Sequence, residues 1–336
     1  MSLRIAFTGT GYISKIHARA ARGLPEVEVV AVVNHRPESM AAFAAEFGIP
    51  RQYGSVEELL RDGEVEVLSV NTPNYLHAPQ TIAALRAGVH VMVEKPMAMN
   101  AAEAAEMVSA SEESGSLLMV AHCWRFDPEA QWLRQQAEEG RIGSVIRTKG
   151  YGVHVNWGPA GWFVQKRYAG GGAMADMGIH AIDTTRYLIG DPRPASVYAK
   201  IGTYYKDFDV DDTGVIIVNW DNGVTSYMES GWWQPYSDGR EASVQLYGTT
   251  GMGQLFPTGL LLPGRDAWQV QKVDAGFPAV RDPHMPQSLY DAQLAYFVAC
   301  IQSGRTPSPG GAEGLTNMQI VDAAYESART GQVVAL

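Results

Sequence analysis

The sequence predicts a mixed α/β protein in two domains, a parallel sheet with helices on both faces over residues 1–122 and an α+β domain over residues 123–336. Two patterns lead there. Up to about residue 120, short apolar runs alternate with helical stretches that stop at glycines, which is how βαβ units read. From Ala195 to Val273, strand-like runs instead follow one another, with Asp221-Asn222-Gly223 as a hairpin signal between two of them. A length of 336 residues accommodates both domains.

In order, Leu3–Thr8 is a short apolar strand and Gly11–Gly23 a helix that ends on a glycine. Val27–Val33 is a β-branched strand, Glu38–Phe47 a helix stopped by Gly48, and Val56–Arg61 a short helix. Val65–Val70, Val89–Val93 and Leu117–Val120 are strands, separated by helices His77–Ala87 and Ala101–Ser114. Asp127-Pro128 offers a capping side chain followed by proline at the first helical position, so a helix should run from there to Gly140. Val145–Val155 is strand-like, and a helix follows from about Gly172 to Ile189. Val215–Val218 and Ser243–Tyr247 are candidate strands of the second sheet. Trp232 and Trp233, read as strand neighbours, should face opposite sides, one core and one at a pocket or interface. Helices Ser288–Gln302 and Ala312–Arg329 close the chain and can pack back on the first domain.

Composition narrows the function. The formal net charge of −10 argues against binding nucleic acid or an anionic membrane, and no apolar run reaches the length of a transmembrane helix. Two cysteines are too few for a disulfide framework, and the start of the chain lacks the pattern of a signal peptide, so a cytoplasmic location is expected. No metal-ligating cluster is expected.

Gly9-Thr10-Gly11-Tyr12-Ile13-Ser14 follows the first strand and opens the first helix, the position of a G-x-G-x-x-G/A dinucleotide fingerprint. The two glycines permit a tight turn and close approach to a pyrophosphate, held by helix N–H groups; Ser14 departs from the pattern but is small. The second strand leads into Asn34-His35-Arg36. An acid at its end would bind the ribose hydroxyls, whereas uncharged Asn34 followed by Arg36 favours NADP(H) over NAD(H). Thr72-Pro73-Asn74 with His77, and Glu94-Lys95-Pro96, follow the third and fourth parallel strands at their carboxyl ends, where ligand crevices form. Lys95 can polarise a hydroxyl or carbonyl, and Pro96 can fix its turn, in cis if need be. Far downstream lies Gly171-Gly172-Ala173-Met174-Ala175-Asp176-Met177-Gly178-Ile179-His180. On an α-helix, Asp176 and His180 share a face, and an acid beside an imidazole is a proton-handling pair. Alone, each of these segments also reads as an ordinary turn, cap or polar helix face.

Taken in order, G-x-G-x-x, T-P-x-x-x-H, E-K-P and G-G-x-x-x-D-x-G-x-H resemble the glucose–fructose oxidoreductase / inositol dehydrogenase family, often called Gfo/Idh/MocA. The resemblance spans Leu3 to about Thr330. It implies an N-terminal Rossmann dinucleotide-binding domain plus a C-terminal α+β domain with a large, mostly antiparallel open sheet. It also implies NAD(P)-dependent oxidation of a sugar, cyclitol or related polyol. Lys95, Asp176 and His180 then fall on the catalytic positions, with either His180 or Lys95 exchanging the proton. His122-Cys123-Trp124-Arg125-Phe126 resembles the segment joining the domains, with Arg125 near the cofactor. The cofactor residues are then Gly9, Gly11, Tyr12, Ile13, Asn34, Arg36, Thr72, Pro73, Asn74, His77, Glu94, Lys95 and Arg125. Aromatic faces suit the C–H faces of a sugar, which makes His154, Trp157, Trp162, Phe163 and Tyr168 pocket candidates as much as core candidates. An open sheet with one bare apolar face must bury it, so a homodimer or homotetramer through the second-domain sheet is expected. The alternatives are a non-catalytic sugar or nucleotide sensor on the same scaffold and an NAD-dependent glycoside hydrolase.

Overall fold

The computed structural model describes residues 2–237, 239–264, 269–278 and 284–336. Its chain forms two compact units, Met1–Cys123 with Met285–Leu315, and Trp124–His284 with Thr316–Leu336.

The first unit is a doubly wound α/β layer structure. Its elements are β1 (Leu3–Thr8), α1 (Tyr12–Arg22), β2 (Val27–Val33), α2 (Pro37–Phe47), β3 (Arg51–Tyr53), α3 (Val56–Asp62), β4 (Val67–Val70), α4 (His77–Arg86), β5 (His90–Val93), α5 (Ala101–Ser114) and β6 (Leu118–Val120). The six strands lie in the order β3-β2-β1-β4-β5-β6, and every pair is parallel. Strand order reverses between β1 and β4, and ligands of such sheets bind outside the carboxyl ends at that switch point. Val30–Val33 and Val67–Val70 are fully buried, as strands covered on both faces must be. β3 is the strand the sequence hides, since Arg51-Gln52-Tyr53 at a sheet edge carries no apolar run. Asn74–Leu76 forms a 3₁₀ turn ahead of α4.

After a 3₁₀ turn at Cys123–Phe126, the second unit continues with α6 (Pro128–Glu138), β7 (Val145–Val153), α7 (Lys166–Ala169), α8 (Ile179–Leu188), β8 (Pro194–Gly202), β9 (Thr213–Trp220), β10 (Thr225–Gly231), β11 (Val244–Gly248), β12 (Met252–Leu255), β13 (Gly259–Pro263) and β14 (Val270–Asp274). The Asp127 carboxylate accepts the Glu129 and Ala130 N–H groups and caps α6, as its place before Pro128 requires. Nine strands form one sheet in the order β14-β13-β12-β11-β7-β10-β9-β8-β15, where β15 is Val334–Ala335. Only β7 and β10 pair in parallel. Residues 265–268, inside the long run of strand-like sequence, lie outside the described residues.

α9 (Gln287–Ser303) belongs to the first unit and packs on α1, where Tyr290 meets His17 edge-on with ring centroids 5.4 Å apart. α10 (Gly311–Thr330) starts in the first unit and ends in the second.

Two sequence expectations fail here. Gly172–Ile189 is not a continuous α-helix: Met174–Gly178 is a π-helical turn that leads into α8. The backbone of β7 presses on that turn, because a Cβ at Gly152 would lie 2.0 Å from Met177 O. Trp232 and Trp233 do not sit in a strand either. β10 ends at Gly231, and Trp233 takes a left-handed φ of 60° beside fully buried Trp232.

Candidate active site

The first unit supplies an anion cradle. Gly9 has φ 81°, and a Cβ there would lie 2.5 Å from Asn71 O, so only glycine lets the loop cross the end of β4. α1 starts at Gly11 with no capping side chain and no acidic residue in its first turn. A Cβ at Gly11 would meet nothing within 4 Å, so there is open space beside the start of α1. That combination of bare donors, positive helix end and open space fits a pyrophosphate. Tyr12 is 81 % exposed beside it and Ile13 half-buried, while Ser14 is fully buried and serves packing as a third glycine would.

Asn34 closes the rim of this loop. Its Nδ2 donates to Thr10 Oγ1 (2.5 Å), and its Oδ1 accepts the Arg36 N–H (3.0 Å). The end of β2 thus carries no carboxylate, and the Arg36 side chain is exposed.

The loops after β4 and β5 are tied to each other rather than open. The His77 ring nitrogens lie 2.8 Å from Pro96 O and 2.7 Å from Thr72 O, and burial pushes the pKa of this imidazole down. Both nitrogens are therefore engaged with the protein. His77 staples Thr72-Pro73 to Lys95-Pro96. Thr72 Oγ1 donates to Gln80 Oε1 (3.0 Å), and Asn74 is buried at the start of its 3₁₀ turn. Glu94 is likewise turned inward: Oε1 accepts from His17 Nε2 (2.7 Å) and Oε2 from the Lys95 N–H (3.1 Å). Burial works to raise the Glu94 carboxyl, but the hydrogen bond and charge of His17, with Lys95 beside it, hold it below its ordinary value. Lys95 itself is half-buried, and the Lys95–Pro96 bond is cis.

Arg125 is held by two carboxylates. Its Nε donates to both Asp183 oxygens (3.1 and 2.9 Å), and its Nη2 to Asp183 Oδ1 (2.8 Å) and Asp191 Oδ1 (2.7 Å). Burial disfavours its charge, and Asp183 and Asp191 more than restore it. Asn317 Nδ2 donates to the same Asp183 oxygen (2.8 Å). With these bonds made, Arg125 clamps α8 to the start of the second unit through Nε and Nη2.

The second unit carries the Asp176 and His180 of the downstream motif. Asp176 lies in the π-turn and His180 in the first turn of α8, both buried. Asp176 Oδ2 accepts from Trp232 Nε1 (3.0 Å). His180 Nε2 lies 3.8 Å from Glu241 Oε1, and His154 Nε2 lies 3.6 Å from Glu241 Oε2. Glu241 is therefore a site residue that sequence reading missed; nothing in Arg240-Glu241-Ala242 distinguishes it from a loop acid. Trp157, 55 % exposed, stacks on His154 with ring centroids 3.6 Å apart. Trp162 and Phe163 stack on each other (3.8 Å), and the Arg167 guanidinium covers the Tyr168 ring (4.4 Å).

The π-turn is held from behind by a buried acid also invisible to the motif search. Asp211 accepts the Gly172 N–H (2.9 Å), the Met174 N–H (2.7 Å) and the Tyr325 hydroxyl (2.7 Å). Its own carbonyl takes the Ala173 N–H (2.8 Å). The glycine pair makes this approach possible, since a Cβ at Gly172 would lie 1.9 Å from Asp211 O and one at Gly171 2.2 Å from the Tyr325 hydroxyl. Burial raises the Asp211 pKa, and burial beside Asp211 raises that of Tyr325 well above a free phenol. Ala173, Met177, Val210 and Trp232 pack together beneath.

No helix among the described residues is long and apolar enough to cross a membrane, and no group of three or more His, Cys, Asp or Glu among them could hold a metal ion. Comparison with known proteins agrees in both units. A family model described as an oxidoreductase family with an NAD-binding Rossmann fold matches residues 3–122, and one for the GFO/IDH/MocA C-terminal domain matches residues 130–254. The chain is 31 % identical over 317 residues to the 1,5-anhydro-D-fructose reductase of Ensifer adhaerens, covering 92 % of this chain and 91 % of that protein. It is 30 % identical over 315 residues to a D-xylose 1-dehydrogenase (NADP(+)) of Haloferax volcanii, with 93 % of each covered. Among solved structures, levoglucosan dehydrogenase in complex with NADH and levoglucosan superposes with a TM-score of 0.89 at 25 % identity, covering 100 % of this chain and 99 % of that one.

Proposed function

Because the chain belongs to the Gfo/Idh/MocA family of NAD-binding oxidoreductases, we propose that it transfers hydride between the hydroxyl-bearing carbon of a sugar, cyclitol or related polyol and a nicotinamide dinucleotide. The observation that carries this reading is the buried His180 with the Glu241 carboxylate 3.8 Å from its Nε2, in a chain whose other unit carries the uncapped N-terminus of α1. The relatives named above act on sugars or their anhydro forms by their names, which supports the substrate class.

When bound, the nicotinamide supplies the hydride chemistry. The first N–H groups of α1 hold the pyrophosphate, with Gly9, Gly11, Tyr12 and Ile13 lining the loop. His180 takes the hydroxyl proton during oxidation, the general-base role an imidazole can fill near neutral pH. Lys95, at the carboxyl end of β5, is the cation that would stabilise negative charge developing on a reacting oxygen. Asp176, fixed by Trp232, supports the charged imidazole. His154, Trp157, Trp162 and Tyr168 contribute to the sugar pocket. In the reductive direction His180 returns the proton.

Asn34 and Arg36 support NADP(H) over NAD(H) as the preferred cofactor, since no carboxylate stands where a 2′-phosphate would have to fit.

The test is a screen of neutral sugars and cyclitols with both cofactors, following the absorbance of reduced nicotinamide. A confirmed substrate then permits His180→Ala, which should lower kcat by roughly 10²–10⁴ while cofactor affinity stays unchanged. Near-normal turnover in that variant would refute the role of His180. Sugar release without net cofactor reduction would replace the reaction with glycoside hydrolysis.

A further inference from the structure

Glu241 stands between two imidazoles with one oxygen toward each, 3.6 Å from His154 Nε2 and 3.8 Å from His180 Nε2. Both separations exceed a hydrogen bond, which closes at about 2.7–3.2 Å. The only hydrogen bond Glu241 makes among the described residues outside regular structure is through its backbone oxygen, which accepts from His284 Nε2 (2.9 Å). Its side chain is nevertheless only 12 % exposed. A carboxylate shielded to this degree needs donors, and protein interiors rarely leave such lone pairs unused. Next to it, His154 Nδ1 is buried with no hydrogen-bond partner among the described residues. Trp157 lies flat on the His154 ring at the exposed rim. Underused acceptors, an unused ring nitrogen and an aromatic platform thus meet beside the proposed proton acceptor.

We propose that Glu241 is a substrate-binding residue that accepts hydrogen bonds from the hydroxyl groups adjacent to the reacting carbon and so restricts the site to uncharged polyhydroxy substrates. The inference rests on the oxidoreductase reading, which puts the reacting carbinol at His180. Hydroxyls on neighbouring carbons present two donors on one side of a sugar, which suits a carboxylate whose oxygens are both open. Charge makes the selection. The titratable groups beside Glu241 in the second unit include His180 on α8, His154 just after β7, and His284, whose Nε2 bonds the Glu241 carbonyl. A substrate carboxylate or phosphate placed against the Glu241 carboxylate would meet like charge.

The experiment compares equilibrium binding of D-glucose, D-xylose, 1,5-anhydro-D-glucitol and myo-inositol with that of D-glucuronate. Each is titrated calorimetrically into the cofactor-loaded protein, as wild type, Glu241→Gln and Glu241→Asp. Wild type should bind at least one neutral compound more than tenfold tighter than D-glucuronate. Glu241→Gln should weaken that binding by about 10- to 100-fold, the worth of hydrogen bonds to a charged group, and narrow the gap to D-glucuronate. Glu241→Asp, which keeps the charge, should retain the rejection of the acid. Unchanged neutral-sugar affinity in Glu241→Gln, equal binding of D-glucuronate by wild type, or no neutral compound bound at all would each overturn the proposal. If Glu241 only oriented His180, Glu241→Gln would lower kcat for every substrate alike and leave affinity intact, which also overturns it. Binding is read without turnover. A protein that binds neutral sugars through Glu241 yet never reduces the cofactor would sink the hydride-transfer reading alone.

Discussion

Asn34 illustrates how much one side chain at the end of a strand decides. An aspartate there would hold the same loop and add a charge; the amide keeps the bond to Thr10 Oγ1 without it. NADP should therefore bind tighter than NAD, and Arg36→Ala should weaken NADP about tenfold while leaving NAD little changed, a charge-assisted contact being worth that much. Fluorescence titration of both cofactors checks this, and equal losses or a wild-type preference for NAD would reject it. Glu94 makes a different prediction. Its folded pKa lies below its unfolded one, so its contribution to stability is present above the ordinary carboxyl pKa of 4.5 and is lost as pH falls through the folded value. Glu94→Gln should cost about 1–3 kcal/mol at pH 7 and little at pH 3, as read by urea unfolding at both pH values. A constant difference across that range would remove the ion pair from the account. The motif containing Glu94 was legible in the sequence; the inward turn of its carboxylate was not, because His17 is a helix residue 77 positions away with no mark of its partner.

At the scale of elements, the helices that the sequence displays best are those whose ends are local chemistry. Asn100 caps α5 by accepting the Glu103 N–H, and Gly48, Gly115 and Gly304 end theirs in the left-handed region. The π-turn at Met174–Gly178 has no such signature, because it is imposed by β7 on one side and Asp211 on the other. The single α-helical face inferred for Asp176 and His180 was wrong, because Asp176 lies in the π-turn and only His180 in α8. The latch of Asp211 and Tyr325 should thus matter to catalysis without touching substrate. Tyr325→Phe removes a hydroxyl that donates to Asp211 and accepts the Gly172 N–H (3.0 Å), and should cost about 1–3 kcal/mol of stability. On a confirmed substrate it should lower kcat several-fold with cofactor Kd unchanged, and Gly171→Ala, which drives a methyl into the same hydroxyl, should do more. Full kcat in a Tyr325→Phe protein of reduced Tm would leave the latch a stability device only.

At the scale of the molecule, the nine-stranded sheet of the second unit poses the last question. α8 packs on one face. On the other, alternation along β9 brings out Val215, Ile217 and Asn219, and their cross-strand partners are Lys200, Tyr198 and Ser196 on β8 and Glu229, Tyr227 and Thr225 on β10. The bare apolar face expected from the sequence is instead mixed, since Val215-Ile216-Ile217-Val218 divides its side chains between core and exterior. Its charges are largely answered within the sheet. Lys149 pairs with Glu229 (3.8 Å) and lies over Tyr151 (4.9 Å), and Arg147 lies over Tyr247 (3.9 Å). Aromatic rings with locally compensated charge are the composition of a buried interface more than of a solvated surface. We therefore expect self-association through this face. Light scattering at micromolar concentration should give two or four times the chain mass of 36.5 kDa. Ile217→Glu would place a fixed charge at its centre and should return the mass to that of one chain, with cofactor titration unaltered because β9 belongs to the second unit. A monomeric wild type would end the proposal, and an Ile217→Glu protein that stays assembled would move the interface to another surface.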